Sequence, residues 1–133
     1  MMAPIPPAPP PRPPRPGHEA EQQACGHLQR QGLTLIERNY RSPYGEIDLI
    51  MRHAGALVFV EVRYRKSVRF GSPAETVDRR KQVKIRATAE HYLQRHTQGA
   101  GVSCRFDVVA LTSAPGSGAE GQKITWLRDA FGI

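Results

Sequence analysis

Residues 57–65 limit the fold of this chain more than any other segment. Their sequence is Leu-Val-Phe-Val-Glu-Val-Arg-Tyr-Arg, and the side chains of a β-strand alternate between its two faces. One face is therefore apolar throughout, at Val58, Val60, Val62 and Tyr64. The other face is apolar only at first and then charged, at Glu61, Arg63 and Arg65. A strand buried on both faces would not normally end in three charged residues, whereas a strand that opens into a cleft would.

The remaining sequence alternates between helical and strand-like patterns. Two helices are predicted over residues 18–31 and 79–95, the first with Gly32 as its C-cap and the second capped by Asp78. The second helix has its predicted buried side at Val83, Ala87, Tyr92 and Leu93. Strands are predicted over residues 33–41, 46–51, 56–64, 103–111 and 124–127, the last before a short terminal helix. This order predicts an α/β fold, a mixed central sheet flanked by helices.

Length, charge and composition restrict the function class. The 133 residues suffice for one domain with one core. Residues 1–16 are proline-rich and predict a disordered tail, which leaves residues 17–133 as the folded domain. No apolar run approaches the roughly 20 residues that cross a bilayer, so no membrane association and a cytoplasmic location are expected. The net charge of +7 favours a polyanionic partner, most often nucleic acid.

Two strands place acidic residues where chemistry is expected. If residues 46–51 and 56–64 pair as a hairpin, Asp48 can lie near Glu61 or Arg63. Two adjacent carboxylates repel each other unless a cation neutralises them, and Mg²⁺ or Mn²⁺ suits carboxylate ligands and phosphate together. This pattern is typical of metal-dependent phosphodiester hydrolysis. Plain cross-strand ion pairs between carboxylates and arginines are the open alternative.

A resemblance adds to this interpretation. Residues 45–50, Gly-Glu-Ile-Asp-Leu-Ile, and residues 58–65, Val-Phe-Val-Glu-Val-Arg-Tyr-Arg, resemble the YraN family of bacterial predicted endonucleases in the PD-(D/E)xK superfamily. Further matches occur at residues 20–21, 38–41, 81, 91–93 and 105–109. The resemblance covers nearly everything from Gly17 onward.

The resemblance implies a restriction-endonuclease-like core similar to that of archaeal Holliday-junction resolvases. Asp48 and Glu61 would bind the Mg²⁺ or Mn²⁺ ion, Glu46 would be an auxiliary ligand, and Glu21 would add a third acidic group from the first helix. Arg63 stands where the superfamily pattern has lysine. Since arginine effectively cannot lose its proton, Arg63 is excluded as a base and is expected to clamp a phosphate or stabilise transition-state charge.

Basic residues outside this site predict contacts with a phosphate backbone. They are Arg65, Lys66, Arg69, Arg79, Arg80, Lys81 and Lys84. A solvated helix face is the alternative for those in the second helix.

Three functional hypotheses follow. The first is a metal-dependent endonuclease acting on DNA, in branched or damaged forms as the resolvase likeness suggests. Cleavage of a junction needs two sites, which favours a homodimer. The second hypothesis is a nucleic-acid-binding module on a nuclease fold with little or no catalysis. The third is a basic scaffold protein whose carboxylates only form ion pairs.

Overall fold

The computed structural model describes residues 18–65, 77–96, 101–113 and 122–131. The predicted tail, as well as Lys66 and Arg69, lies outside these ranges. The elements are α1 (His18–Arg30), β1 (Thr34–Ser42), β2 (Gly45–His53), β3 (Ala56–Arg65), α2 (Arg79–His96), β4 (Cys104–Ser113) and β5 (Gln122–Phe131). Neither described helix combines the length and apolar character needed to span a membrane.

The five strands form one mixed sheet in the order β1-β2-β3-β4-β5. Three neighbouring pairs are antiparallel, and β3 pairs with β4 in parallel. A parallel pair needs a crossover connection, which α2 supplies between β3 and β4. The predicted α/β fold is confirmed, and the architecture is consistent with a restriction-endonuclease-like core.

The sheet is covered on both faces, each by one helix. On one face, Ala24 and Leu28 of α1 pack with buried residues of β2, β3 and β4, including Val60. On the other face, Ile85 and Ala89 of α2 belong to a cluster with buried residues of the same three strands. Because the sheet is covered on both sides, the first half of β3 has apolar side chains on both of its faces.

The predicted ends of both helices are confirmed within about one residue. Gly32 has a positive φ of 99°, and the amide of Leu33 donates to the carbonyl of Leu28 (3.1 Å), the longer bond of a Schellman motif. At the start of α2, the amide of Lys81 donates to the Asp78 carboxylate (2.8 Å), which is the predicted N-cap.

Two predictions of local structure are wrong. On the predicted buried side of α2, Tyr92 is buried as expected and Ala87 and Leu93 are half-buried, but Val83 is 56% exposed. Ile85, Thr88 and Ala89 are the other buried residues of this helix. The predicted terminal helix is absent from the described residues, since β5 continues as a strand to Phe131. A bulge opposite Asp107 and a stacked contact between the rings of Phe106 and Phe131 (5.0 Å between centroids) extend the pairing with β4. Tertiary packing therefore overrides the local preference at this end.

Candidate metal and phosphodiesterase site

Strands β2 and β3 separate at the predicted acidic pair. Their pairing runs from His53↔Ala56 to Leu49↔Val60 and stops before Asp48 and Glu61, the next residues in register. The Asp48 carboxylate accepts a hydrogen bond from the backbone amide of Val62 (Oδ2 to N, 2.8 Å). A side chain thus takes the place of a backbone acceptor, and this holds the Asp48 carboxylate against β3.

Glu61 is buried with an incomplete set of partners. Its side chain is 4% exposed, and its Oε1 lies 3.2 Å from the Lys81 Nζ and 3.5 Å from the Arg63 Nη2. Its other oxygen, Oε2, is buried, and within the described part of the chain it has no hydrogen-bond partner. Because an unpartnered buried polar atom is costly, this oxygen marks a place where a cation or a proton would be stabilised.

Burial shifts the proton equilibria of both carboxyl groups. Burial first, and then the nearby charges of Glu61 and Glu21, raise the pKa of Asp48 to about 8, against the lowering effects of the Val62 hydrogen bond and Lys81. Burial also raises the pKa of Glu61, against the charges of Lys81 and Arg63, the hydrogen bond from Lys81 and the hydrogen bond that a proton shared with Asp48 would make. Such a pair favours a shared proton or a bound cation over two free charges.

Glu21 approaches the pair from α1. Its charge acts on Asp48, which is consistent with the expected location of the third acidic group. The Asn39 amide donates to the Glu21 Oε2 (Nδ2 to Oε2, 2.9 Å). Asn39 has a positive φ of 52°, a conformation that asparagine tolerates better than most residues. Asn39 therefore orients Glu21, a role that the sequence did not predict.

Glu46 occupies a more exposed position. Its Oε2 lies 3.7 Å from the Arg41 Nε across the β1–β2 hairpin. The role of Glu46 as an auxiliary metal ligand stays a prediction.

The predicted basic residues divide into two groups. Lys81 and Arg63 contact Glu61 directly, whereas Arg79, Arg80 and Lys84 are exposed on α2. Arg65 lies in β3, and its side chain is outside the described part. The sequence assigned Lys81 to phosphate binding alone, but α2 brings this lysine to the carboxylate from another element. In the sequence, only the match of Lys81 to the family pattern indicated that this lysine belongs to the site.

The donor set fits a hard divalent ion. No group of three or more His, Cys, Asp or Glu side chains is arranged to hold a metal within residues 18–65, 77–96, 101–113 and 122–131. Mg²⁺ commonly uses one or two carboxylates and completes its shell with water and substrate phosphate. Asp48 and Glu61, with the unpartnered Oε2, meet this requirement.

Comparison with known proteins places the sequence in a family. The model of "Uncharacterised protein family UPF0102", the YraN family, matches residues 20–111. A "UPF0102 protein" of Nitrosococcus oceani is 49% identical over 117 residues, 88% of this chain and 91% of that protein. Similar proteins from Saccharophagus degradans (50% over 115 residues, 86% and 91%) and Coxiella burnetii (44% over 117 residues, 88% and 92%) carry the same name. The predicted resemblance is therefore confirmed, and these names state no activity.

Proposed function

We propose that this chain, which belongs to the uncharacterised protein family UPF0102, is an endonuclease that hydrolyses DNA phosphodiesters with the help of Mg²⁺ or Mn²⁺. The observation that carries the proposal is the Asp48–Glu61 pair at the point where β2 and β3 separate. One carboxyl oxygen there is buried and, within the described residues, unpartnered, and the pKa values of both groups are raised. Strongly shifted carboxylates in a cleft are typical of functional sites.

Asp48 and Glu61 would hold the metal ion. When bound, the ion supplies a Lewis acid that polarises the phosphate and lowers the pKa of a coordinated water. Glu21 would add negative charge at the rim of the site and help to retain the cation. Its orientation depends on the hydrogen bond from Asn39.

Lys81 and Arg63 would act on the substrate. Both lie within 3.5 Å of Glu61 Oε1, which supports a role for them in binding a phosphate beside the metal. Lys81 would supply the positive charge that the superfamily pattern assigns to the lysine replaced here by Arg63. Arg63 can bind two phosphate oxygens through its planar guanidinium group. Arg79, Arg80 and Lys84 would extend the contact along the DNA backbone.

Cleavage of a substrate panel tests this function. The purified chain is incubated with Mn²⁺ or Mg²⁺ and with labelled linear, flapped and four-way-junction DNA, beside Asp48→Asn and Glu61→Gln. We expect cleavage that depends on the metal and falls about 10³-fold in either variant, because each removes a charged metal ligand.

Glu90→Gln is the matched control, since Glu90 is exposed on α2 and its substitution should leave cleavage unchanged. A calorimetric titration with Mn²⁺ measures metal binding independently of substrate. Salt-sensitive DNA binding without cleavage that responds to these variants would reject the nuclease and support a binding module on the same fold.

A further inference from the structure

A polar side chain is buried where α2 meets the turn between β1 and β2. Thr88 lies on α2 and is fully buried. Its hydroxyl donates to the carbonyl of Lys84 (2.8 Å), a local bond that helical threonines often form. The same hydroxyl accepts a bond from the Ser42 hydroxyl of β1 (3.1 Å). The second bond joins the helix to the sheet, which local satisfaction of Thr88 alone does not require.

The turn packs closely against α2 at this point. The Ser42 hydroxyl also accepts a bond from the Tyr44 amide (3.0 Å), so it links the turn to the helix. A Cβ at Gly45 would lie 3.3 Å from the Thr88 Oγ1 and 3.5 Å from the Lys84 Cβ, so glycine permits the close approach. Together, Ser42, Gly45 and Thr88 form the α2–turn contact.

The elements that form the α2–turn contact also carry residues of the candidate site. Lys81 precedes Thr88 by seven residues, which is two helical turns or roughly 10 Å along the same side of α2. Asp48 follows Gly45 by three residues, or roughly 10 Å along β2. The Lys81 Nζ lies 3.2 Å from the Glu61 Oε1. One side of α2 therefore meets the sheet at two places, the α2–turn contact and the Lys81–Glu61 ion pair.

The sequence around Lys81 does not by itself fix its ammonium group. The side chain is 41% exposed, and lysine has a flexible four-carbon stem. The Asp78 cap holds the Lys81 amide (2.8 Å), but a cap sets where a helix begins and not how it lies across a sheet. The α2–turn contact supplies that constraint, because a shift of the helix at Thr88 would also move Lys81 relative to Glu61.

We propose that Thr88 is a positioning residue for Lys81, whose ammonium group it holds beside Glu61 by fixing α2 to the turn between β1 and β2. This inference rests on the proposed function, in which Lys81 acts on a phosphate beside the metal. Thr88 itself would touch neither the metal nor the substrate. Asp48 and Glu61 are held by the sheet, so metal binding should not depend on Thr88.

Thr88→Val in two backgrounds tests this dependence. Valine keeps the branched shape of threonine and removes the hydroxyl. At saturating DNA and Mn²⁺, the single-turnover cleavage rate should fall about 10-fold, because a displaced charge stabilises the transition state less well. In a Lys81→Met background, the same substitution should cost less than about twofold, since the group that it positions is absent. Thr88→Ser keeps the hydroxyl and should retain the wild-type rate.

Further variants separate positioning from a general effect on the fold. Ser42→Ala removes the sheet partner of Thr88, so it should act in the same direction and provides the same comparison if Thr88→Val does not fold. Thr34→Val is the matched control, because Thr34 is exposed on β1 and its substitution should leave the rate unchanged. In Thr88→Val, Mn²⁺ affinity by calorimetry and DNA affinity in EDTA should change less than about twofold.

Lysine labelling measures the position of Lys81 without any cleavage. The full chain, free of metal and DNA, is treated briefly with sulfo-N-hydroxysuccinimide acetate, and acetylation is measured by mass spectrometry. An ion pair keeps a lysine protonated and unreactive, so labelling of Lys81 should rise about threefold in Thr88→Val and in Glu61→Gln. Lys123, which is exposed on β5, is the internal reference and should be labelled equally in all three proteins.

A loss of rate that is as large in the Lys81→Met background as in the wild type would overturn the inference, because Thr88 would then support the fold in general. Unchanged labelling of Lys81 in Thr88→Val would overturn it as well. If the wild-type chain cleaves none of the DNAs, the nuclease is rejected, and the labelling alone decides whether Thr88 positions Lys81.

Discussion

Asp107 and Glu61 are both buried carboxylates on the paired strands β3 and β4, yet their surroundings differ. Asp107, which is fully buried, accepts bonds from the Arg105 Nε to both oxygens (3.0 and 3.2 Å), from the Trp126 Nε1 (2.9 Å) and from the Asp129 amide (2.9 Å). Glu61 shares one oxygen between two cations, and within the described residues its other oxygen has no partner.

Asp107 is a structural carboxylate whose oxygens are hydrogen-bonded, whereas one oxygen of Glu61 is left to accept a further donor or a cation. The contacts of Asp107 with Trp126 and Asp129 join β4 to the bulged end of β5, and its contact with Arg105 neutralises the buried charge within β4. Glu61 instead faces the like charge of Asp48, and an added cation or a shared proton would offset the repulsion that Lys81 and Arg63 leave. Burial alone is therefore a poor guide to function, whereas the completeness of the hydrogen bonding is informative.

Removing Asp107 should have the largest effect on stability. Asp107→Ala removes the shared acceptor of the half-buried Arg105 Nε and Trp126 Nε1 donors and of the Asp129 amide, so the free energy of unfolding should fall by about 3–5 kcal/mol. Urea denaturation followed by circular dichroism measures it. Asp129→Asn alters an exposed carboxylate and keeps the backbone donor, so it should change stability by less than about 0.5 kcal/mol. A loss below about 1 kcal/mol in Asp107→Ala would show that these bonds contribute little net stability.

Removing the positive charge of Lys81 beside Glu61 should slow cleavage. Lys81→Met deletes the ammonium group 3.2 Å from the Glu61 Oε1, and we expect initial cleavage rates to fall about 10²-fold. Lys84→Met removes an exposed charge one turn away, so it should weaken DNA binding, reduce its salt dependence by about one counterion and spare the rate at saturation. Equal losses of rate in both variants would show that Lys81 only contacts the phosphate backbone, as Lys84 does, and has no specific role beside Glu61.

Replacing Asp48 by asparagine should have the smallest of these effects. It should raise the stability of the metal-free protein, whereas Asp107→Ala should lower it. Its pKa rises from the ordinary value of 3.8 to about 8 on folding, so the folded state holds a proton that the unfolded chain releases between these values. Stability from this group is thus lost as pH rises through that window. Asp48→Asn should stabilise the metal-free protein by about 0.5–2 kcal/mol at pH 8 and not at pH 4.

Thermal unfolding in EDTA across this pH range measures the effect. Added Mn²⁺ should raise the melting temperature of the wild-type protein and reduce the advantage of Asp48→Asn. A variant that is less stable than wild type at pH 8 would contradict the raised pKa.

Much of the sheet followed from local patterns. The period-two alternation of β2 and β3 predicted both strands and placed Asp48 near Glu61, because a hairpin register follows from its turn. Gly32 and Asp78 marked helix ends through their own backbone and side-chain chemistry. The end of β5 was predicted incorrectly, since its conformation depends on Phe106 and Asp107, which are distant in sequence.

The partners of the acidic pair were harder to predict. The contact of Lys81 with Glu61 depends on how α2 crosses the sheet, and the bond from Asn39 to Glu21 depends on where α1 docks. Neither distance follows from residue spacing, since each contact joins a helix to a strand whose docking the local sequence does not fix. The exposure of Tyr64 was not predicted either, because period two assigned this residue to an apolar face.

The sequence by itself determined the α/β class, the β2–β3 hairpin and the identity of the acidic pair, because alternation, turn chemistry and helix caps act over a few residues. Tertiary structure decided where the strand pairing stops, which cations reach Glu61 and which aromatic rings remain exposed. These features depend on packing between distant elements, where burial removes water and makes each unpartnered charge costly.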